Sequence, residues 1–135
     1  MIEHRRLRSI CHASIGTNNL AQAQGFYTPV LATLGIDLVS EYEQALAYGK
    51  GYPEFWLQQP FDKLPATTGN GTHFGFVALS KQQVDEFYHC AIALGARCNG
   101  APGVRPEYGA PYYGCFVIDL DGNKIEASYW QATEK

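Results

Sequence analysis

Apolar and polar positions alternate from residue 10 to 16. Cys11, Ala13 and Ile15 take one side and His12, Ser14 and Gly16 the other, the period-two signature of a half-buried strand. The period then lengthens. Leu20, Ala23, Phe26, Tyr27, Val30, Leu31 and Leu34 recur at helical spacing, Asn19 stands at the N-cap with Gln22 three residues on, and Gly35 closes the run. Pro29 inside that stripe predicts a bent or shortened helix, because its ring removes one amide donor and crowds the preceding turn. Short strands are predicted over 36–40, 44–48 and 54–58, divided by Gly49, Gly51 and Pro53.

The same order of elements then returns. Residues 72–79 alternate, Ser80 and Gln83 form a capping box, and Val84, Phe87, Tyr88, Ala91 and Leu94 make an apolar stripe that Gly95 ends. Strands are predicted over 96–99, 115–119 and 124–130, the last two joined by Asp121-Gly122-Asn123, a hairpin signal. His12 and His73 lie 61 residues apart, and Asn19/Ser80, Gln22/Gln83, Phe26/Phe87 and Tyr27/Tyr88 keep that offset. Such self-similarity predicts a duplicated unit. The chain reads as one α+β domain over residues 1–135, made of two βαβββ modules at 8–60 and 70–131. The sheets are expected to be mixed, with the helices outside, and residues 60–71, with two prolines and two glycines, join the modules.

Composition narrows the function classes. Hydrophobic residues make up 46% of the 135, enough for a core, while charged residues make up 17%, below the roughly 25% usual for soluble domains. That leaves room for surface buried in an oligomer. The net charge is −3, and His4-Arg5-Arg6-Leu7-Arg8 is too short for a nucleic-acid face, so it reads as a solvated leader. No apolar run approaches a membrane span, and no apolar segment of a secretory signal follows the basic start. Cys11, Cys90, Cys98 and Cys115 form no CxxC pair and are expected to be buried reduced thiols, which suits a cytoplasmic protein.

Period two also sorts the chemistry. His73, Gly75 and Val77 share a face of their strand, and Glu126, Ser128 and Trp130 share a face of the last one. The residue two beyond each of His12, His73 and Glu126 is small (Ser14, Gly75, Ser128), which leaves space above the polar group. These three are therefore expected to point into one hollow. Two imidazoles and a carboxylate suit a divalent cation with open coordination positions, with Zn, Ni, Mn, Fe and Mg all compatible. His4 and His89 read as ordinary surface or helix-face residues. The loop 100–114, rich in Gly, Pro and Tyr, has two readings. It is a lid in which Arg105 pairs a substrate anion and Tyr108, Tyr112 and Tyr113 form walls, or a surface loop that packs at a dimer contact. Trp56 is a pocket wall or part of the core.

These residues resemble the vicinal oxygen chelate superfamily, which includes glyoxalase I, fosfomycin-resistance enzymes, extradiol dioxygenases and bleomycin-binding proteins. The resemblance runs from Ile10 to Trp130. Its pieces are His12-Ala13-Ser14-Ile15-Gly16-Thr17-Asn18-Asn19-Leu20 with Phe26-Tyr27, Gly71-Thr72-His73-Phe74, and Asp119-Leu120-Asp121-Gly122-Asn123-Lys124-Ile125-Glu126. It implies a cupped mixed sheet around a divalent metal held by His12, His73 and Glu126, a small-molecule ligand with adjacent oxygens, and a homodimer whose sites are either complete in one chain or draw ligands from two. Glyoxalase I has a fourth ligand, a glutamate late in the first module. Here, aligning Phe55 with Ile125 puts Trp56 at that place, and Glu54 is the acid beside it, the candidate catalytic base. The function implied is a glyoxalase-like metal-dependent enzyme using proton transfer, isomerisation or addition on an oxygen-rich or electrophilic metabolite. The alternatives are a drug-sequestering, bleomycin-resistance-like binding protein and an Fe(II) extradiol dioxygenase.

Overall fold

The computed structural model describes residues 9–131. The basic cluster at 4–8 and His4 lie outside them. Nine strands and two α-helices follow in the order β1 (Ala13–Gly16), α1 (Leu20–Ala32), β2 (Asp37–Glu41), β3 (Ala45–Gly49), β4 (Phe55–Gln58), β5 (His73–Val77), α2 (Lys81–Ala93), β6 (Arg97–Cys98), β7 (Gly103–Val104), β8 (Tyr112–Ile118) and β9 (Lys124–Trp130). Two mixed sheets result. One runs β1-β4-β3-β2 and the other β5-β9-β8-β6, with β7 also on β8.

The duplication is visible in the hydrogen bonds. β1 pairs with β4 in parallel, with Ala13 opposite Phe55, and β5 pairs with β9 in parallel, with Phe74 opposite Ile125. Since Ala13 and Phe74 each follow a matched histidine, Phe55 corresponds to Ile125, Trp56 to Glu126, and Glu54 to Lys124. The helices begin alike: Asn19 Oδ1 accepts from the Gln22 amide at 2.9 Å and Ser80 Oγ from the Gln83 amide at 3.1 Å. They also end alike. The Ile36 amide reaches back to the Leu31 carbonyl and the Ala96 amide to that of Ala91, each at 3.0 Å, around glycines with φ +76° and +107°. That is the Schellman closure, which needs a residue tolerant of positive φ.

The apolar stripes are buried or half-buried as their spacing predicts except at Leu94, which caps the end of α2 and is 40% exposed. Phe26, Tyr27, Val30 and Leu31 of α1 and Val84, Phe87 and Ala91 of α2 are buried with Leu46, Leu57, Cys115, Val117, Ile125 and Ala127 from the sheets. Phe55 joins the two halves, its ring 6.0 Å from that of Phe74 and 4.9 Å from that of Phe76.

Three local expectations are corrected. Helix α1 is not cut short at Pro29 but runs on to Ala32. Packing of Val30 and Leu31, both 0% exposed, holds the turn that the missing amide weakens. Strand β8 starts at Tyr112 rather than at 115, because Tyr112 and Tyr113 pair with Trp130 and Tyr129. The thiols are not uniformly buried: Cys115 is, Cys90 is half-buried, and Cys11 and Cys98 are exposed. Cys11 lies just ahead of β1 and Cys98 on a two-residue strand, so neither is covered from both sides.

Candidate functional site

One face of the second sheet gathers the chemistry. Alternation puts His73 and Gly75 of β5, Lys124 and Glu126 of β9, and Tyr112, Gly114 and Phe116 of β8 on that face. His73 Nε2 lies 3.0 Å from Glu126 Oε1, with the histidine side chain 42% exposed and the glutamate 13%. The Tyr112 hydroxyl donates to Glu126 Oε2 at 2.6 Å. Burial first, and then the hydrogen bond to Glu126, pushes the Tyr112 hydroxyl well above the ordinary tyrosine range, so it stays a donor at neutral pH.

Phe116 floors this face, with the His73 ring edge-on at 6.1 Å. The Lys124 ammonium lies 4.8 Å and the Arg105 guanidinium 5.9 Å from the Phe116 ring centre. Arg105 is held by its own loop, donating to the carbonyls of Ala101 at 2.7 Å and Val104 at 3.2 Å. Two cations therefore stand by the Phe116 ring, and among the described residues neither forms an ion pair with Glu126. A cavity of about 500 Å³ opens beside His73, lined also by Asn70, Thr72, Phe74, Asn123 and Lys124.

His12 lies elsewhere. It precedes β1 of the first sheet, exposed, with its ring 6.4 Å from that of Trp56, which in turn stacks on Tyr42 at 6.0 Å. Glu54 shares the parity of Trp56, while its backbone joins β1 and β3 through Ala13 and Tyr48 at 3.0 Å each. Among the described residues, no three His, Cys, Asp or Glu side chains of one chain gather as a metal-binding group. Tyr108 is half-exposed and meets the Tyr112 ring edge-on at 5.0 Å. Tyr113 turns to the opposite face of β8, where its hydroxyl donates to Asp85 of α2 at 2.7 Å. His89 sits on α2 with its Nδ1–H donating to the Asp85 carbonyl at 2.8 Å.

Two of the three expected donors, an imidazole nitrogen and a carboxylate oxygen, suit a divalent cation. Two donors each about 2.1 Å from a metal at roughly a right angle are about 3 Å apart, and His73 Nε2 and Glu126 Oε1 have that separation. A second copy of the chain would have to bring the third ligand.

Two groups were not assigned roles from the sequence. Lys124 shares the parity of Glu126, a signal the strand pattern already carried. The acids of Asp119-Leu120-Asp121-Gly122-Asn123 do structural work: the Asp121 carboxylate accepts from Thr17 Oγ1 at 2.6 Å and from the Asn18 amide at 3.1 Å, fastening the β8–β9 turn to the start of α1.

No helix among the described residues is long and apolar enough to cross a membrane. No curated protein matches the chain significantly. Among solved structures, a glyoxalase/bleomycin resistance protein from Albidiferax ferrireducens T118 is 34% identical over 89% of this chain and 97% of its own, with a TM-score of 0.81. A lactoylglutathione lyase from Agrobacterium tumefaciens is 23% identical over 90% and 92%, with a TM-score of 0.63, a likeness of fold. The family model for the glyoxalase/bleomycin resistance protein/dioxygenase superfamily matches residues 9–127. With that match over most of its length and this arrangement of paired sheets, the chain belongs to the glyoxalase/bleomycin resistance protein/dioxygenase superfamily.

Proposed function

We propose that the chain is a glyoxalase-like metal-dependent enzyme, acting on a small oxygen-rich or electrophilic metabolite by proton transfer, isomerisation or addition. His73 and Glu126 hold a divalent cation, and His12 of a second copy completes the set in a homodimer. The observation that carries this reading is the 3.0 Å approach of His73 Nε2 to a largely buried Glu126. The cation, when bound, supplies a Lewis acid that polarises a substrate oxygen.

The remaining residues supply binding and proton handling. Lys124 and Arg105 provide positive charge for an anionic group, the cavity beside His73 takes the body of a small substrate, and Phe116 gives an apolar wall. Glu54, on the Trp56 side of the first sheet, is the candidate proton acceptor. In the matched modules it stands at the position of Lys124, two residues before that of Glu126 on the same strand, so it serves as a base beside the cation rather than as a fourth ligand. The four free cysteines are compatible with a reducing, cytoplasmic setting.

Metal analysis of protein purified without chelator, with His73→Ala in parallel and with the mass measured in solution, tests this reading. Stoichiometric metal in a wild-type dimer and loss of it in the variant are expected. Equal metal content in both overturns it. A metal-free binding protein is the second reading, supported by the stacked Tyr42–Trp56 pair beside His12. Affinity for an aromatic ligand that persists unchanged with chelator favours that one.

A further inference from the structure

Glu126 is engaged from both sides. His73 meets Oε1 at 3.0 Å, and the Tyr112 hydroxyl meets Oε2 at 2.6 Å. Tyr112 is 1% exposed, so it cannot form the wall of an open substrate site. Its ring is held edge-on between Tyr108 and Trp130, each 5.0 Å away.

Two glycines make this contact possible. Tyr112 stands opposite Trp130 and Glu126 opposite Phe116, and the tyrosine reaches the carboxylate along their shared face by passing over Gly114, where an added Cβ would lie only 2.2 Å from the hydroxyl oxygen. Glu126 in turn lies over Gly75, where an added Cβ would stand 3.1 Å from Oε1. The carboxylate thus lies where two glycines leave room, with Tyr112 at one oxygen and His73 Nε2 at the other. A tyrosine hydroxyl bonded to a carboxylate is a short, charge-assisted contact that fixes its plane.

We propose that Tyr112 is the positioning residue of this site. Its hydroxyl ties down Oε2 and leaves Oε1 to face a cation together with His73, so that Glu126 binds through one oxygen. The proposal rests on the metal-dependent reading above. It adds that a partner in the hydrogen-bonded shell, not the ligand pair alone, sets the affinity and the coordination.

The test uses the full chain as wild type, Tyr112→Phe and Glu126→Gln, titrated with Co(II) by calorimetry and by visible absorption, with urea unfolding of the metal-free proteins alongside. Tyr112→Phe is expected to bind Co(II) about 10- to 100-fold more weakly, the usual size of an outer-shell loss. Its Co(II) spectrum should also change, as Glu126 becomes free to swing both oxygens toward the ion. A purely structural role would lower the unfolding midpoint and leave the spectrum of bound Co(II) as in the wild type, and that result overturns the proposal. If Tyr112→Phe does not fold, Gly114→Ala, whose methyl would stand 2.2 Å from the Tyr112 hydroxyl oxygen and 2.6 Å from its Cζ and so push that end of the ring off Glu126, must weaken Co(II) binding likewise; wild-type affinity there overturns it too. Wild-type protein that binds Co(II) no better than Glu126→Gln refutes the metal reading itself, and this proposal falls with it.

Discussion

Tyr27 on α1 donates its hydroxyl to Asp119 Oδ2 at 2.5 Å, a buried contact between residues 92 apart that ties the first module to the last hairpin. Asp119 is 6% exposed and accepts three further donors: the Asp121 and Asn123 amides at 2.9 and 2.8 Å, and Asn123 Nδ2 at 3.1 Å. A buried carboxylate is tolerated here because every lone-pair direction has a partner. Tyr27→Phe, which removes one donor, should lower unfolding free energy by about 1.5–3 kcal/mol in urea denaturation. Asp119→Ala, which orphans all four donors, should cost more. A variant order reversed from this would show that the clasp does not hold the modules together.

Alkaline stability follows from the same pair. Burial first, and then the charge of Asp119, holds the Tyr27 hydroxyl well above its ordinary value. A raised folded-state pKa means that the native state keeps its proton longer than the unfolded chain does. The contribution is complete below about pH 10, where the unfolded tyrosine starts to ionise, and is lost as pH rises toward the folded value. Wild type should therefore lose stability above pH 10 more steeply than Tyr27→Phe, as read from urea midpoints between pH 8 and 11. Parallel curves would refute the assignment.

The four thiols should separate by reactivity. Burial pushes Cys115 up to about 12, while Cys11 and Cys98 are exposed and the contact with Tyr88 draws the Cys98 thiol down. With a thiol-disulfide exchange reagent at pH 8, Cys98 and Cys11 should be labelled first, Cys90 slowly, and Cys115 only after denaturant is added. Peptide mapping of a time course checks the order, and early labelling of Cys115 would contradict its burial.

Pro29 is an exposed residue inside α1, where it leaves one helical hydrogen bond unmade. Pro29→Ala should restore that bond and raise stability by about 1–3 kcal/mol, the lower end if the turn has already adapted. The thermal midpoint should move up with the helical signal unchanged. A fall in the midpoint would mean that the proline ring packs on something its exposure does not suggest.

Much of the fold was legible because strand and helix periodicity, caps and closing glycines are local. The alternation of residues 72–79 and 124–130 placed His73 and Glu126 on the faces where they meet. The alignment of Phe55 with Ile125 matches the two parallel ladders. The loop 100–114 was harder. Gly, Pro and Tyr there signal a turn, yet Tyr112 and Tyr113 are strand residues held by cross-strand partners, Trp130 and Tyr129, that lie distant in the chain. Their opposite facing separates two tyrosines that the sequence placed in one lid: Tyr112 on Glu126, Tyr113 on Asp85.

By itself, then, the order of residues determined the duplicated plan, the helix ends and the face on which each candidate ligand stands, since each depends on neighbours within a few positions. Only the docked structure decided that the acids of the last turn clasp the first module, that Tyr112 reaches Glu126 over a glycine, and that His12 stands beside Trp56 rather than with His73. Those relationships join residues that are distant in the chain. They are set by how two sheets and two helices close around a shared core, and no local period encodes that.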